Sequence, residues 1–306
     1  MNSAVSEPVL IGIDWGTSSL RAFLIGAGGE VLDSVSSPEG IMHVPDGDFE
    51  RVFANLVGQW MTKARLPVLA SGMITSRNGW VETPYETVPL GADDLARALV
   101  SHRTACGVEL SFITGVTTEH ESGPDVMRGE ETQIIGASAL GMSDGVFVMP
   151  GTHSKWIRVV DGRIEDYATY MTGEIFSALR GHTILGALIE DGPFSAEGFK
   201  QGVTAGLKER SSLLHDLFHV RTLPLMGKIA PTMVADYLSG LLIGAEISAG
   251  ADRGNKDGRV TIIGRNDLAD RYETALGIAG VDSRRAPDDI VAMGHFLIAR
   301  SAGLLS

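Results

Sequence analysis

Residues 11–25, "IGIDWGTSSLRAFLI", set an apolar run, an aspartate, a Gly-Thr-Ser-Ser turn and a second apolar run in immediate succession. Two apolar runs joined by so short a polar stretch read as a β-hairpin. Its tip carries a carboxylate and a cluster of hydroxyls. Gly, Ser and Thr suit any tight turn, so the composition of this one does not by itself mark a site. What singles it out is its return. "GTHSKWIRVVDGRI" from Gly151 shares Gly-Thr-x-Ser, a strand of similar length and a Gly-containing hairpin turn with "GTSSLRAFLIGAGGEV" from Gly16, 135 residues earlier. A match of one turn is cheap, but a match of strand, turn, strand, turn and strand is not, and it implies two similar halves.

Outward from the opening hairpin, Val9–Ile13, Leu20–Ile25 and Val31–Val35 read as a three-strand meander. Asp48–Lys63 has apolar residues at helical spacing behind an acidic cap, and Val68–Ser71 is a strand running into the loop "SGMITSRNGW". Leu95–Ser101 reads as a helix and Leu110–Thr114 as a strand. The polar stretch "TTEHESGPDVMRGEE" then leads into a helix over Glu131–Leu140. The second meander is Val146–Met149, Lys155–Val160 and Ile164–Tyr170. It is followed by helices at Glu174–Arg180 and Met233–Ile247, a strand at Val260–Ile263, and helices at Asp267–Leu276 and Asp288–Ala302. Strands alternating with helices make the chain α/β. The expected domains are residues 1–118 and 119–287, with the helix over 288–306 returning to the first.

The chain has 306 residues, 44% hydrophobic and 21% charged, enough apolar surface for two packed cores. Its net charge of −13, without a Lys/Arg cluster, argues against a nucleic-acid partner. An anion must then be held by local devices rather than by the overall field. Cys106 is the single cysteine, which excludes a disulfide framework and a zinc or iron–sulfur cluster and fits a reducing cytoplasm. The opening "MNSAVSEPVL" lacks a basic leader, and the most apolar stretch, "VADYLSGLLIGAEISAGA", is interrupted by Asp236 and Glu246, so neither export nor a membrane span is expected.

Two turns that present backbone N–H groups and hydroxyls to one cleft would clamp a polyphosphate. The candidates are Gly16, Thr17 and Ser18 in the first turn and Gly151, Thr152 and Ser154 in the second. Asp14 is suited to hold Mg²⁺ through water, and Arg21 or Lys155 to offset developing charge. Each hydroxyl also suits a bond to its own turn. No G-x-x-x-x-G-K-[ST] loop, H-E-x-x-H helix, G-x-S-x-G elbow or Rossmann fingerprint is present.

"DWGTSSLRAF", "PGTHSKW" and "IIGRNDLA" resemble the two phosphate segments and the adenosine segment of the actin, hexokinase and Hsp70 superfamily of ATP-dependent phosphotransferases. "ASGMITSRNGW", "MRGEETQIIGA", "MPGTHSKW" and "YMTGEIF" together resemble, more closely, the 2-dehydro-3-deoxygalactonokinase family within it. The resemblance implies two ribonuclease-H-like α/β domains with mixed sheets and an interdomain cleft holding ATP and Mg²⁺. It also implies phosphorylation of a keto-deoxy sugar acid on its terminal hydroxyl, with Gly264 and Asn266 near adenosine. Relatives such as glycerol kinase carry their base in a Gly-Asp pair that opens a helix before the second phosphate hairpin. Gly129-Glu130 is similar in sequence and placement, which makes Glu130 the first candidate base, with Glu131 left open. Both also suit the first turn of any helix. A substrate carboxylate calls for arginine, Arg77 or Arg128. Ser71, Gly72 and Trp80 are candidates for the sugar pocket, Trp80 being equally suited to the core. The competing class is an ATP-driven conformational or filament-forming protein on the same fold. The sequence leaves a homodimer and the sugar-acid epimer open.

Overall fold

The opening apolar run is buried over Leu10–Ile13, as a central strand covered on both faces requires. The computed structural model describes residues 7–61, 65–105, 107–208, 213–251, 258–288 and 290–305. Cys106, residues 62–63 of the expected first helix, and the start of the N-terminal stretch lie outside them. In chain order the elements are β1 (Pro8–Trp15), β2 (Leu20–Gly26), β3 (Val31–Ser37), α1 (Phe49–Met61), β4 (Val68–Ser71), β5 (Tyr85–Thr87), α2 (Ala92–Arg97) and β6 (Val100–Arg103). Next come β7 (Glu109–Phe112), β8 (Gly115–His120), β9 (Gly123–Met127), α3 (Glu130–Ala139), β10 (Gly145–Met149), β11 (Ser154–Val160), β12 (Arg163–Tyr170) and α4 (Thr172–His182). The chain ends with α5 (Ala196–Gly206), α6 (Leu213–Leu225), α7 (Val234–Gly250), β13 (Arg259–Ile262), α8 (Asn266–Ile278), β14 (Asp282–Arg285) and α9 (Ile290–Ser301).

Two compact units result. The first comprises Met1–Asp144, Val159–Asp166 and Pro287–Ser306, and the second Gly145–Arg158 and Tyr167–Ala286. In the first, the sheet order is β3-β2-β1-β4-β7-β6, with β1 antiparallel to β2 and parallel to β4. Its core includes Ile11, Ile13, Trp15, Phe53, Trp60 and Phe112. The second sheet runs β12-β11-β10-β13-β14, the same order of a meander followed by parallel strands. Trp156, Phe199, Ile243 and Tyr272 are part of the core of the second unit. The repeat read from the two hairpins is therefore a repeat of sheet topology, the arrangement of an actin-like ATPase. The division differs from the expected one: residues 119–144 belong to the first unit, because β8 and β9 pair with each other and β8 with β5, while α3 packs on α9.

Other differences have local causes. The expected helix over Leu95–Ser101 is a helix ending at Arg97 followed by β6, whose alternating exposure marks a sheet-edge strand. The polar stretch after Val116 is the β8–β9 hairpin, whose buried positions include Gly115 and Thr118 and so do not write an apolar run. In the second unit α5 went unread because its glycines weaken a helical pattern. They are there for packing: a Cβ on Gly202 would lie 2.0 Å from the Tyr237 carbonyl oxygen, and one on Gly240 would lie 2.2 Å from that of Phe199. α5 and α7 thus meet backbone to backbone.

Candidate active site

In the first unit, Asp14 and Ser71 are register partners near the C-terminal ends of the parallel strands β1 and β4, the edge at which open α/β sheets bind ligands. One carboxylate oxygen of Asp14, Oδ2, accepts a hydrogen bond from Arg21 Nη2 at 3.0 Å, across the hairpin. The following turn is held from behind. Gly16 N–H donates to Ser19, while Ile41 and Met42 N–H donate to the Gly16 and Thr17 carbonyls. Gly40 passes so close that a Cβ there would lie 2.4 Å from Ser19 N. With its carbonyls occupied on that side, the turn leaves Thr17 and Ser18 exposed. Sequence reasoning missed Gly40, whose only signal was a glycine after Pro38-Glu39.

Beside Asp14 three backbone segments converge where only glycine fits. Gly72 has φ +95°, and a Cβ on it would lie 2.8 Å from Trp15 O and 3.4 Å from Asp14 Oδ1. Gly129 has φ +107°, and its Cβ would lie 3.0 Å from Gly72 Cα. The next residue, Glu130, opens α3 and accepts the Arg128 backbone N–H at 2.9 Å through Oε2. The left-handed backbone of both glycines is what lets β4, β1 and the α3 start approach this closely.

The two glutamates differ in access. Glu130 is half-buried, whereas Glu131 is 0% exposed and accepts the Gly129 N–H at 2.7 Å and the Thr132 hydroxyl at 3.1 Å. Burial, reinforced by the Glu130 charge, raises the Glu131 carboxyl from 4.5 to about 8. At neutral pH it is protonated in the folded chain and ionised in the unfolded one. The stability it contributes is complete below pH 4.5 and lost as pH rises through about 8. Glu131→Gln is accordingly expected to flatten the alkaline arm of the stability curve, raising the melting temperature at pH 8.5 relative to the parent far more than at pH 5. Glutamine keeps an oxygen for Gly129 N–H, and the Thr132 hydroxyl can turn to accept. Parallel melting curves for the two proteins across that range would show that the carboxyl ionises in place.

Of the expected sugar-pocket residues, Gly72 is at this junction. Ser71 is buried, its hydroxyl 2.9 Å from His295 Nε2, so it is engaged inside the unit. Burial, then the Arg21 charge, pushes His295 down to about 3, keeping it neutral beside Ser71. Trp80 packs against Trp15, Phe49, Phe53 and Phe112, which makes it a core anchor. Arg128 is 9% exposed, with Nη1 donating to Thr75 and Thr83 Oγ1 and its guanidinium 4.3 Å over the Tyr85 ring. Arg77 is exposed on its loop, without an ion pair among the described residues.

In the second unit, Gly151 and Thr152 form a turn with an open face, and α4 is seated behind it. A Cβ on Gly173 would lie 2.3 Å from Gly151 O, and Glu174 N–H donates to Thr152 O at 2.9 Å. Ser154 and Lys155 are both buried, Ser154 with its hydroxyl 2.9 Å from Tyr272 OH, so neither presents a group at the turn surface. Adjoining the turn is a cavity of about 260 Å³, whose lining includes Gly151, Phe176, Asp236, Leu268, Arg271 and Tyr272. Arg271 pairs with Asp236 at 3.2 Å and stands 4.7 Å over the Phe194 ring, a planar cation set in an apolar wall. Gly264 and Asn266 are exposed just before Asp267 and Leu268 of the lining. A Cβ on Gly264 would meet Pro150 at an ordinary 3.4 Å. Among the described residues no group of three or more His, Cys, Asp and Glu is placed to hold a metal. A single carboxylate suits a cation that keeps most of its water and takes its other ligands from phosphate, which is the habit of Mg²⁺.

A family model described as 2-keto-3-deoxy-galactonokinase matches residues 14–298. The chain is 36% identical over 272 residues to the 2-dehydro-3-deoxygalactonokinase of Escherichia coli (strain K12), covering 89% of this chain and 90% of that protein. A crystal structure of a Sinorhizobium meliloti protein described under the same activity superposes with a TM-score of 0.87 at 33% identity, covering 95% of this chain and 98% of that one. Component A of the Acidaminococcus fermentans (R)-2-hydroxyglutaryl-CoA dehydratase matches at a TM-score of 0.51 and 14% identity, over 97% of this chain and 100% of that one, a likeness of fold alone.

Proposed function

The chain belongs to the 2-keto-3-deoxy-galactonokinase family, and from that premise we propose that it transfers the γ-phosphoryl group of ATP to the C6 hydroxyl of 2-dehydro-3-deoxy-D-galactonate. The products are the 6-phosphate and ADP, and the step belongs to galactonate catabolism. The protein is a sugar-acid kinase. The observation that carries the assignment of roles is the glycine junction of Gly72 and Gly129, which brings Asp14 and the Gly129-Glu130 pair to one end of the first sheet.

Glu130 takes the proton of the attacking hydroxyl as its bond to phosphorus forms, and Glu131, buried and protonated, is unsuited to that task. Thr17 and Ser18 offer N–H groups and hydroxyls suited to phosphate oxygens on the turn that the Gly16 N–H closes onto Ser19, and the Gly151–Thr152 turn of the second unit offers groups of the same kind. Asp14 would hold Mg²⁺ through water, and the ion, when bound, offsets charge on the phosphate oxygens. Arg21 keeps one Asp14 oxygen in place. The 260 Å³ cavity takes the adenosine. Arg77, exposed and without an ion pair among the described residues, clamps the substrate carboxylate, while Arg128, engaged by threonines, fixes the loop that carries the base. The net charge of −13 supports small-molecule ligands over nucleic acid, no helix among the described residues is long and apolar enough to cross a membrane, and the cytoplasm supplies the ATP.

A coupled ADP-release assay with MgATP against sugars and 2-keto-3-deoxy acids tests this reading. Turnover is expected with the keto-deoxy acids alone, and Arg77→Ala is expected to raise the KM for the acid about tenfold or more without changing that for ATP. ATP hydrolysis or assembly in the absence of any acceptor effect would overturn the kinase assignment.

A further inference from the structure

The apolar helix α7 is interrupted by Glu246, which is buried, 3% exposed. Its Oε1 accepts the Trp156 Nε1–H at 2.8 Å, and its Oε2 accepts the Tyr272 hydroxyl at 2.7 Å and the Thr172 hydroxyl. Tyr272 OH is in turn 2.9 Å from Ser154 Oγ. Burial pushes the Glu246 carboxyl above its ordinary range, against the pull of these hydrogen bonds. A buried carboxylate is costly even when fully hydrogen-bonded, and an apolar side chain of similar volume is often at least as stable. Core stability alone therefore does not call for a glutamate here.

The donors converging on Glu246 come from the parts that build the second-unit subsite. Ser154 and Trp156 belong to the strand that leaves the Gly151–Thr152 turn. Thr172 opens α4, whose next residue, Gly173, is pressed against Gly151, and both Thr172 and Tyr272 line the cavity. One carboxylate thus ties the phosphate turn, the helix seated behind it and the cavity wall into a fixed geometry.

We propose that Glu246 is a positioning residue for the nucleotide, acting through Thr172 and Tyr272 to hold the cavity wall in register with the Gly151–Thr152 turn. The proposal rests on reading that cavity as the adenosine site. A ligand whose two ends are held by the cavity and by the turn binds well only when their spacing is preset, so loosening the hub weakens nucleotide binding while leaving the sugar-acid site alone.

The test uses the full chain and its Glu246→Gln, Tyr272→Phe and doubly substituted forms, with ADP affinity by calorimetry, the two KM values and the melting temperature measured on each. Glutamine offers an oxygen to one donor but sets an NH₂ group against another. Glu246→Gln is expected to weaken ADP about tenfold, equivalent to roughly 1.4 kcal/mol, with the sugar-acid KM unchanged. Tyr272→Phe is expected to weaken ADP severalfold alone and to add little to Glu246→Gln, because both break the same linkage. If Glu246→Gln fails to fold, Tyr272→Phe carries the same comparison. Variants that melt earlier but bind ADP like the parent, or that shift both KM values together, would overturn the proposal. A parent protein that binds no ADP would instead overturn the reading of the cavity.

Discussion

Glu130→Gln is expected to lower kcat about 10²- to 10⁴-fold, the usual worth of a positioned general base, while the KM for ATP and the melting temperature stay close to those of the parent. The structural reason for so selective a loss is that the glutamine oxygen can still accept the Arg128 backbone N–H now bound by Glu130 Oε2. Because α3 starts at this residue and Glu131 bonds separately to Gly129, the helix start survives the change. A drop in kcat and kcat/KM of equal size identifies an interaction made only on the way to the transition state. Glu131→Gln supplies the control, since it removes the neighbouring carboxyl that is buried from substrate: activity near the parent level is expected there, in contrast to the collapse at 130. Retained turnover in Glu130→Gln, or the reverse ranking of the two variants, would mean that the proton leaves by another route.

The hairpins, their repeat and the mixed-sheet architecture were legible because strands buried on both faces write continuous apolar runs, and because tight turns constrain residue type. The polar β8–β9 hairpin and the edge strand β6 were not, since β6 is only half-buried on its inner side and the buried positions of β8 include Gly115 and Thr118, which carry no hydrophobic signal. Within the site, Asp14 and the Gly-Thr turns could be read from their position at strand ends. Ser71, Ser154 and Trp80 have the right chemistry, but their side chains are turned inward to His295, to Tyr272 and to an aromatic cluster. Orientation of that kind is set by packing partners distant in sequence. Glu246 and Asp236 were visible from the start as charges interrupting an apolar helix. That signal argued against a membrane span, but it also marked two carboxylates whose burial had to be answered by partners elsewhere in the chain. Those partners proved to be Trp156, Thr172 and Tyr272 for one, and Arg271 and the Ser195 backbone N–H for the other.

Asp14→Asn is expected to lower kcat about 10²- to 10³-fold, the range seen when one preorganised electrostatic contact to developing charge is removed. It is also expected to raise the Mg²⁺ concentration needed for half-maximal activity. The stability cost should be small. Asp14 loses its ion pair with Arg21, but the Arg21 side chain is 47% exposed, and pairs open to solvent contribute roughly 0–1 kcal/mol. Asparagine is nearly isosteric, and its amide oxygen can keep the Arg21 bond if the NH₂ turns toward Gly72, where the Asp14 Oδ1 now points. The variant thus separates charge from shape: geometry at the hairpin tip persists while the carboxylate is gone. A loss of activity that extra Mg²⁺ partly restores places the charge at the metal and phosphate. A loss that Mg²⁺ leaves untouched, accompanied by a large fall in melting temperature, would make Asp14 a structural partner of Arg21 and move the search for the metal ligand elsewhere in the first unit.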